Sequence, residues 1–205
     1  GKESVLFVVD TQKLELVDTI DGLGGPKAPG LAFDANNNRV YATNLQGELL
    51  TIDPAKSEVV QRVQTSAEQP MNIAVDHAAK RLYVTDQGLA MIRNYQAKSI
   101  PGFESKNPGN RVVVFDPDTA AIRASLPTGD GPIAPLFDAQ RQRLYVTNRG
   151  AGTVSVFDTR SQQLLQTLAV PAHPNSLALD SRNNVLYVTV KNGRDAARGS
   201  NESVV

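Results

Sequence analysis

The same short phrase occurs four times along this chain of 205 residues. Each copy places a Val or Leu before a Tyr, and a small or β-branched residue and a Thr after it. The tyrosines, which lie 42, 62 and 42 residues apart, are Tyr41, Tyr83, Tyr145 and Tyr187. A second marker with the same spacing is an Asp after an apolar pair, at Asp34, Asp76, Asp138 and Asp180. A third, spaced by 43, 63 and 42, is an Asp that closes an apolar run, at Asp10, Asp53, Asp116 and Asp158. The three markers agree on a period of about 42 residues with one insertion of about 20.

A period of this length, made of short β-like runs, is typical of a β-propeller in which each repeat is one four-stranded blade. The clearest repeat has strand patterns at 133–138, 144–147, 153–158 and 164–168, joined by short polar turns. No stretch shows helical apolar spacing of useful length, so no helix is expected. The sequence therefore predicts an all-β chain of four-stranded antiparallel blades.

The blade boundaries follow from the same markers. Residues 1–22 are the end of one blade, residues 28–65, 69–129 and 132–171 are full blades, and residues 173–205 are an incomplete last blade. Both ends of the chain fall within a blade, so we expect a part of a longer ring whose missing N-terminal blades are partners of this one. A complete ring of four blades, closed by its two ends, is the alternative.

Composition excludes several kinds of function. Lys and Arg total 21, as do Asp and Glu, so no overall charge attracts nucleic acid. Cys is absent, which excludes disulfides, thiolate catalysis and zinc–thiolate sites. No apolar run reaches 18 residues, so we expect no membrane insertion. Neither a phosphate-binding glycine loop before a helix nor a nucleophile-elbow serine is present. The sequence predicts no enzyme, no cofactor and no metal site.

The recurring residues have structural interpretations. The tyrosines are expected to pack between blades, and the recurring Asp side chains are expected to accept hydrogen bonds from nearby backbone amides in turns. Of the two histidines, His77 is expected to be solvated in a turn. His173 precedes an inner strand near the mouth of the channel, where it is a candidate ligand, although one His alone is a poor metal site.

Two insertions interrupt the period, and function in repeat proteins concentrates in such loops. The connection between second and third strands takes residues 148–152 in one repeat but residues 86–110 and 190–202 in two others. The equivalent position predicts that both long connections project from the same face. The candidate ligand-face residues are Asn72, Arg93, Tyr95, Lys98, Phe103, Lys106, Arg149, His173, Asn175 and Lys191.

Two interpretations of the longer connection stay open. Its aromatic and basic residues are suited to stacking on, and neutralising, a single-stranded nucleic acid. Alternatively, Tyr95 and Phe103 pack onto the neighbouring blade. The connection has a net charge of only +1, and the second one, which carries Arg194 and Arg198, has the same.

Tyr145-Val146-Thr147-Asn148 spells the motif of the YVTN-repeat β-propellers, which this chain resembles. Three further segments, residues 1–5, 44–53 and 173–179, are similar to the C-terminal half of the YncE-like bacterial branch of that family. The resemblance covers essentially the whole chain. It implies a seven-bladed ring, export to the periplasm, no established catalysis, and a proposed affinity for single-stranded nucleic acid.

Together, these observations predict a non-enzymatic, exported binding module that engages an unknown protein or small ligand through its expanded-loop face and channel mouth. One alternative is a propeller that binds single-stranded DNA. The other is a periplasmic enzyme or cofactor protein whose site lies in missing blades.

Overall fold

The computed structural model describes residues 3–25, 27–171 and 173–191 and the backbone of residues 203–204. These residues form five antiparallel sheets, which we call blades 1 to 5 in chain order. Blade 1 contains β1 (Leu6–Asp10) and β2 (Glu15–Ile20). Blade 2 contains β3 (Gly30–Asp34), β4 (Arg39–Asn44), β5 (Glu48–Asp53) and β6 (Glu58–Gln64). Blade 3 contains β7 (Pro70–Asp76), β8 (Arg81–Asp86), β9 (Arg111–Phe115) and β10 (Ile122–Pro127). Blade 4 contains β11 (Pro132–Asp138), β12 (Arg143–Asn148), β13 (Thr153–Asp158) and β14 (Gln163–Ala169). Blade 5 contains β15 (Pro174–Asp180), β16 (Val185–Val190) and β17 (Ser203–Val204).

Strands follow one another in sequence order within every blade, as the repeat predicts. The recurring phrase lies in the second strand and pairs with the third, so that Tyr41 faces Thr51 and Tyr83 faces Val114. The five sheets fall within the five segments that the sequence delimits. The fold is that of propeller blades, and the interpretation of the repeat is confirmed.

The recurring Asp side chains stabilise the turns that follow the strands. Asp34 Oδ1 accepts the backbone N–H of Asn36 at 3.0 Å, and Asp158 Oδ1 accepts that of Ser161 at 2.9 Å. The backbone hydrogen bond from Ser161 lowers the pKa of Asp158 to about 2, which keeps the carboxylate in its accepting form. The turn-forming interpretation is confirmed.

The apolar core lies between blades, because each flat sheet has two faces to cover. Tyr41 of blade 2 is buried with Ile73, Val84 and Phe115 of blade 3. Tyr83 of blade 3 is buried in the equivalent cluster with blade 4. The tyrosines of these two repeats are therefore packing residues, as expected.

The threonine of the phrase joins neighbouring blades by a hydrogen bond. Thr43 Oγ1 donates to the carbonyl oxygen of Met71 at 3.0 Å, and Thr85 Oγ1 donates to that of Ile133 at 3.1 Å. The acceptors lie on the inner strands of the next blades. A buried hydroxyl needs such a partner, which explains the position of Thr in the repeat.

One helix departs from the sequence-based expectation, which allowed none. Helix α1 (Ala90–Ser99) lies in the connection between β8 and β9, and Gln96 is its only buried residue among those described. An apolar face is absent, so the spacing of hydrophobic residues gives no signal. Hydrogen bonds to other blades hold α1 instead. None of the helices in the described ranges is long and apolar enough to span a bilayer.

Candidate functional site

Residues 87–110, which we call the inserted segment, connect β8 to β9 and include α1. The segment begins beside blade 4, because Leu89 lies next to Gly131, the residue that precedes β11. A β-carbon added to this glycine would be 3.1 Å from Leu89 Cδ2. It continues to blade 2, because Gln96 of α1 bonds to Leu45. The inserted segment thus contacts blade 3, from which it arises, and both neighbours of that blade.

Gln96 attaches α1 to the blades below it. Its side chain is fully buried, and Nε2 donates to the carbonyl oxygens of Leu45, at 2.8 Å, and Glu68. Leu45 lies in the turn between β4 and β5, and Glu68 lies in the connection from blade 2 to blade 3. One side chain therefore satisfies two backbone acceptors on different elements.

Gln69 holds the start of the inserted segment in the same way. Its Oε1 accepts the backbone N–H of Leu89 at 2.8 Å, and its Nε2 donates to the carbonyl of Leu89 at 3.1 Å. The backbone carbonyl of Gln69 also accepts the N–H of Gln87 at 3.0 Å. Two hydrogen bonds from one side-chain amide to the same residue fix both the position and the direction of the chain.

Arg93 and Tyr95 are used within the protein. Arg93 Nη2 donates to the carbonyl oxygens of Asn107, at 3.0 Å, and Pro108, and so connects α1 to the end of the inserted segment. The ammonium of Lys27 lies 4.8 Å from the centroid of the Tyr95 ring, within the range of a cation–π contact. Neither side chain is presented to solvent as a free ligand-binding group.

A cavity of ≈510 Å³ lies between the inserted segment and blade 2. Its size falls within the usual range for a small-molecule site. Its walls combine apolar surface with polar groups and are formed by Gln46, Gly47, Gln64, Thr65, Ser66, Ala67, Glu68, Gly102, Phe103, Glu104, Lys106 and Asn107. Phe103 is the only aromatic side chain among these and is half-buried.

The charged side chains of the cavity differ in their hydrogen bonding and exposure. Glu68 accepts hydrogen bonds from Ser105 Oγ, at 2.7 Å, and from the backbone N–H of Lys106. The side chains of Glu104 and Lys106 are exposed. The cavity therefore offers one carboxylate held in place, one exposed carboxylate, one exposed ammonium and an aromatic ring to an incoming molecule.

The structure separates the sequence-predicted ligand-face residues into groups. Phe103 and Lys106 line the cavity, and Lys98 is exposed on α1. Phe103 lines this cavity together with Gln46, Gly47 and Gln64 of blade 2, and its packing onto the neighbouring blade stays a prediction. Tyr95, half-buried beneath Lys27, also contacts the region that leads into blade 2.

The remaining candidates lie elsewhere on blades 3, 4 and 5. Asn72 Nδ2 donates to the carbonyl of Ile133 at 2.8 Å, which makes it a link between inner strands. Arg149 is half-buried, and its backbone N–H donates to the Gly131 carbonyl at 2.9 Å. His173, Asn175 and Lys191 lie on blade 5, where the His173 carbonyl accepts the N–H of Lys191 at 3.0 Å. In the described part of the chain, no hydrogen bond joins these blade 5 residues to the inserted segment.

Two further expectations have structural outcomes. His77 is not simply solvated, because its Nδ1 lies 2.8 Å from Asp34 Oδ1 on the neighbouring blade, although the side chain is 43% exposed. The second long connection, including Arg194 and Arg198, lies outside the described residues. Over the ranges described here, no group of three or more His, Asp or Glu side chains is arranged to hold a metal ion.

Sequence reasoning missed the residues that position the inserted segment. Gln69 and Gln96 are buried amides whose partners are backbone groups distant in sequence, and no local pattern marks them. Asp86 and Arg111 do carry a signal, since they are the residues at which the repeat is interrupted and then resumes.

Comparison with known proteins relates the chain to one group. It is 33% identical over 195 residues to the uncharacterised protein YncE of Salmonella typhimurium strain LT2, covering 93% of this chain and 49% of that protein. It is 35% identical over the same share of both to YncE of Escherichia coli strain K12. The chain thus spans about half the length of the curated relatives it matches. No family model matches it.

Among solved structures, the fold is similar to that of Kuenenia stuttgartiensis hydrazine synthase. The TM-score is 0.68 at 15% identity, over 91% of this chain and 49% of that one. At this level of identity the likeness concerns the fold alone. It agrees with the arrangement of four-stranded antiparallel blades described above.

Proposed function

From the premise that this chain is a homologue of the YncE proteins over about half of their length, we propose that it is a binding module of a β-propeller and not an enzyme. The observation that carries the proposal is the inserted segment. Its buried polar side chains fix it on the blades, and it forms an open cavity of ≈510 Å³ with blade 2. A loop held in this way presents a pre-formed surface, which lowers the entropic cost of binding.

The chemistry of the cavity favours a small polar molecule or a short peptide segment. Phe103 supplies an apolar surface, and Glu104 and Lys106 supply opposite charges that are exposed to solvent. Pockets of this kind combine a contact surface with a few polar groups that orient the ligand. We place the ligand-binding surface here rather than at His173, which is on a different blade.

Fragment screening by NMR tests this proposal without knowledge of the ligand. A mixture of amino acids, amines, carboxylic acids and monosaccharides is expected to shift the backbone amide signals of Phe103 and Asn107. The Lys106→Ala variant is expected to weaken these shifts, whereas Lys98→Ala, an exposed lysine outside the cavity, is the matched control. Shifts that cluster elsewhere, or that both variants leave unchanged, would count against the cavity.

Single-stranded DNA is the second candidate ligand. It is favoured by the exposure of Lys98 and Lys106 on the same segment as Phe103. Two phosphate contacts would give a salt dependence of about −1.4 in log affinity per log salt. Fluorescence anisotropy with a labelled single-stranded oligonucleotide in a sodium chloride series measures this slope. Replacing both Lys98 and Lys106 by Ala should abolish the salt dependence of the affinity, whereas Lys56→Ala in the β5–β6 turn should not. Affinity that is independent of salt would reject this candidate.

The third alternative concerns blades outside this chain. If an enzyme or cofactor protein has its site there, a longer polypeptide of this kind would show an absorption spectrum or activity that these residues lack. Visible spectra of the two proteins, purified side by side, test for a coloured cofactor. Export to the periplasm stays a prediction from the resemblance, and fractionation of cells that express the full-length protein tests it.

A further inference from the structure

Three polar atoms of blade 3 are buried and have no hydrogen-bond partner among the described residues. They are Oδ2 of Asp76, Nε of Arg81 and the hydroxyl oxygen of Tyr83. Asp76 is 1% exposed and Tyr83 is 0% exposed. Leaving one such atom unsatisfied costs about 1–3 kcal/mol, so three on a single blade need an explanation.

Comparison of the repeats explains why Asp76 Oδ2 has no partner within the described ranges. In the other repeats, Oδ2 of the equivalent Asp is satisfied by the side chain three residues later. Asn37 bonds to Asp34 at 2.8 Å, Arg141 to Asp138 at 3.0 Å, and Asn183 to Asp180 at 2.7 Å.

In blade 3 the residue three positions after Asp76 is Ala79. Its backbone N–H bonds to Asp76 Oδ1 at 2.9 Å, but its methyl side chain has nothing to donate to Oδ2. The substitution both removes a donor and leaves room at that position, because a methyl group is smaller than the Asn or Arg side chain of the other repeats.

Arg81 is also used differently from its equivalents. Arg39 and Arg143 pair with the Asp at the end of the third strand, Asp53 and Asp158 respectively. In blade 3 the corresponding Asp116 pairs with Arg123. Arg81 instead donates from Nη1 to the carbonyl of Thr159 in blade 4, and its buried Nε has no partner among the described residues.

Tyr83 lies two residues after Arg81 on β8, on the same face of the strand, and Arg81 is directly opposite Asp76 where β7 pairs with β8. Burial raises the pKa of its hydroxyl, the negative charge of Asp76 adds to the effect, and Arg81 and Thr159 lie close enough to oppose it. The hydroxyl is therefore protonated at neutral pH and can both donate and accept a hydrogen bond.

We infer that Asp76, Arg81 and Tyr83 form a binding site for one buried water molecule between blades 3 and 4. Water accepts from Arg81 Nε, donates to Asp76 Oδ2 and completes its bonds with the Tyr83 hydroxyl, which gives the three bonds typical of a buried water. A cation would be repelled by the guanidinium and an anion by the carboxylate, whereas a neutral molecule that donates and accepts suits both. The site lies beside blade 4, because Arg81 also donates from Nη1 to the Thr159 carbonyl of that blade.

A crystal structure of the chain, at a resolution that shows ordered solvent, tests the site directly. We expect one peak within hydrogen-bond distance of all three atoms. The Ala79→Asn variant restores the donor present in the other repeats, and in its structure the peak is expected to be absent, with the new amide bonded to Asp76. Ala78→Asn, at the exposed neighbouring position, is the matched control and should retain the water.

Magnetic relaxation dispersion of the water signal counts long-lived bound waters in solution. We expect one fewer in Ala79→Asn than in Ala78→Asn. The inference is overturned if the wild-type structure shows the three atoms bonded to one another without a peak. It is equally overturned if the peak and the long-lived water persist in Ala79→Asn.

Discussion

Arg111 Nε donates to Asp86 Oδ2 at 3.0 Å, and these two residues are directly opposite each other as the last residue of β8 and the first of β9. The ion pair therefore closes the base of the inserted segment. Burial raises the pKa of Asp86, and the backbone N–H of Gln69 and the side chain of Arg111 oppose this rise. The repeat is interrupted at a point where a charged pair keeps the two strands in register.

Replacing Arg111 by Met is expected to destabilise the protein by about 3 kcal/mol, because it leaves a buried carboxylate unpaired. Urea unfolding at pH 7 measures the change. The matched control is Arg39→Met, whose pair with Asp53 at 3.4 Å is more exposed and is worth less than about 1 kcal/mol. Because the folded pKa of Asp86 is above its unfolded value, protonation relieves the cost, and the deficit should shrink as the pH falls. Equal losses in the two variants would contradict the structural role of the pair.

The second prediction concerns Gln96 and the attachment of α1. Gln96→Ala removes both bonds to the Leu45 and Glu68 carbonyls, so hydrogen exchange across residues 90–99 should accelerate, while exchange in β7 and β11 should not. Mass spectrometry of exchanged peptides measures this. Lys98→Ala, which removes an exposed side chain from the same helix, is the control. Unchanged protection of α1 in Gln96→Ala would show that other contacts hold the helix.

The hydrogen bond from the repeat's threonine gives a third prediction. Thr85→Val keeps the shape of the side chain but removes its hydrogen bond to the Ile133 carbonyl and the acceptor of the Asn72 N–H, at an expected cost of about 1–3 kcal/mol. Thr167→Val, on the exposed strand β14, should change the free energy of unfolding by less than about 0.5 kcal/mol. Denaturant melts of both variants make the comparison. Unchanged stability of Thr85→Val would mean that this hydroxyl adds nothing to the Asn72 and Arg81 hydrogen bonds that also join blades 3 and 4.

The fourth prediction follows from the low pKa of Asp116. The hydrogen bond from Arg123 is the main cause that lowers this pKa to about 2. Its unfolded value is about 3.9, so the stabilisation is present above about pH 4 and is lost as the pH falls towards 2. Arg123→Met should therefore lower the urea midpoint at pH 6 and have little effect near pH 2. Arg160→Met, an exposed arginine in the turn after β13, should show no such pH dependence; a constant difference for Arg123→Met would reject the coupling.

A fifth prediction concerns the exposed apolar surface between blades 1 and 2. Leu31 and Phe33 of β3 are 52% and 54% exposed, whereas Ile73, the equivalent of Leu31 in blade 3, is 8% exposed because blade 2 covers it. With Phe7 and Val9 they line an apolar groove of ≈410 Å³. Exposed apolar surface of this kind is a contact site or a liability to aggregation.

The double variant Phe7→Ser, Phe33→Ser should therefore reduce both ANS fluorescence and self-association by light scattering. Ile122→Ser, a similarly exposed residue on the outer strand of blade 3, should affect neither. Dye binding that is equal in all these proteins would contradict this assignment of the surface.

Most of the fold could be predicted from the sequence because the information is local and repeated. Alternating apolar residues around Tyr145 predict a strand, the Asp at position 138 predicts the turn before it, and four copies of the pattern reinforce each other. Helix α1 could not be predicted in this way, since its one buried residue is a glutamine. The cavity could not be predicted either, because its walls come from blade 2 and from the inserted segment, which are distant in sequence.

The sequence by itself determined the repeat, the four-stranded blades and the place of the insertion, because strand alternation and turn formation depend on neighbouring residues. Only the tertiary structure decided what the inserted segment does with its side chains. It directs Arg93 to backbone carbonyls, covers Tyr95 with Lys27, and leaves Phe103 and Lys106 at a cavity. A buried polar group must find a partner wherever the fold brings one, and that choice depends on distances between blades that no local pattern encodes.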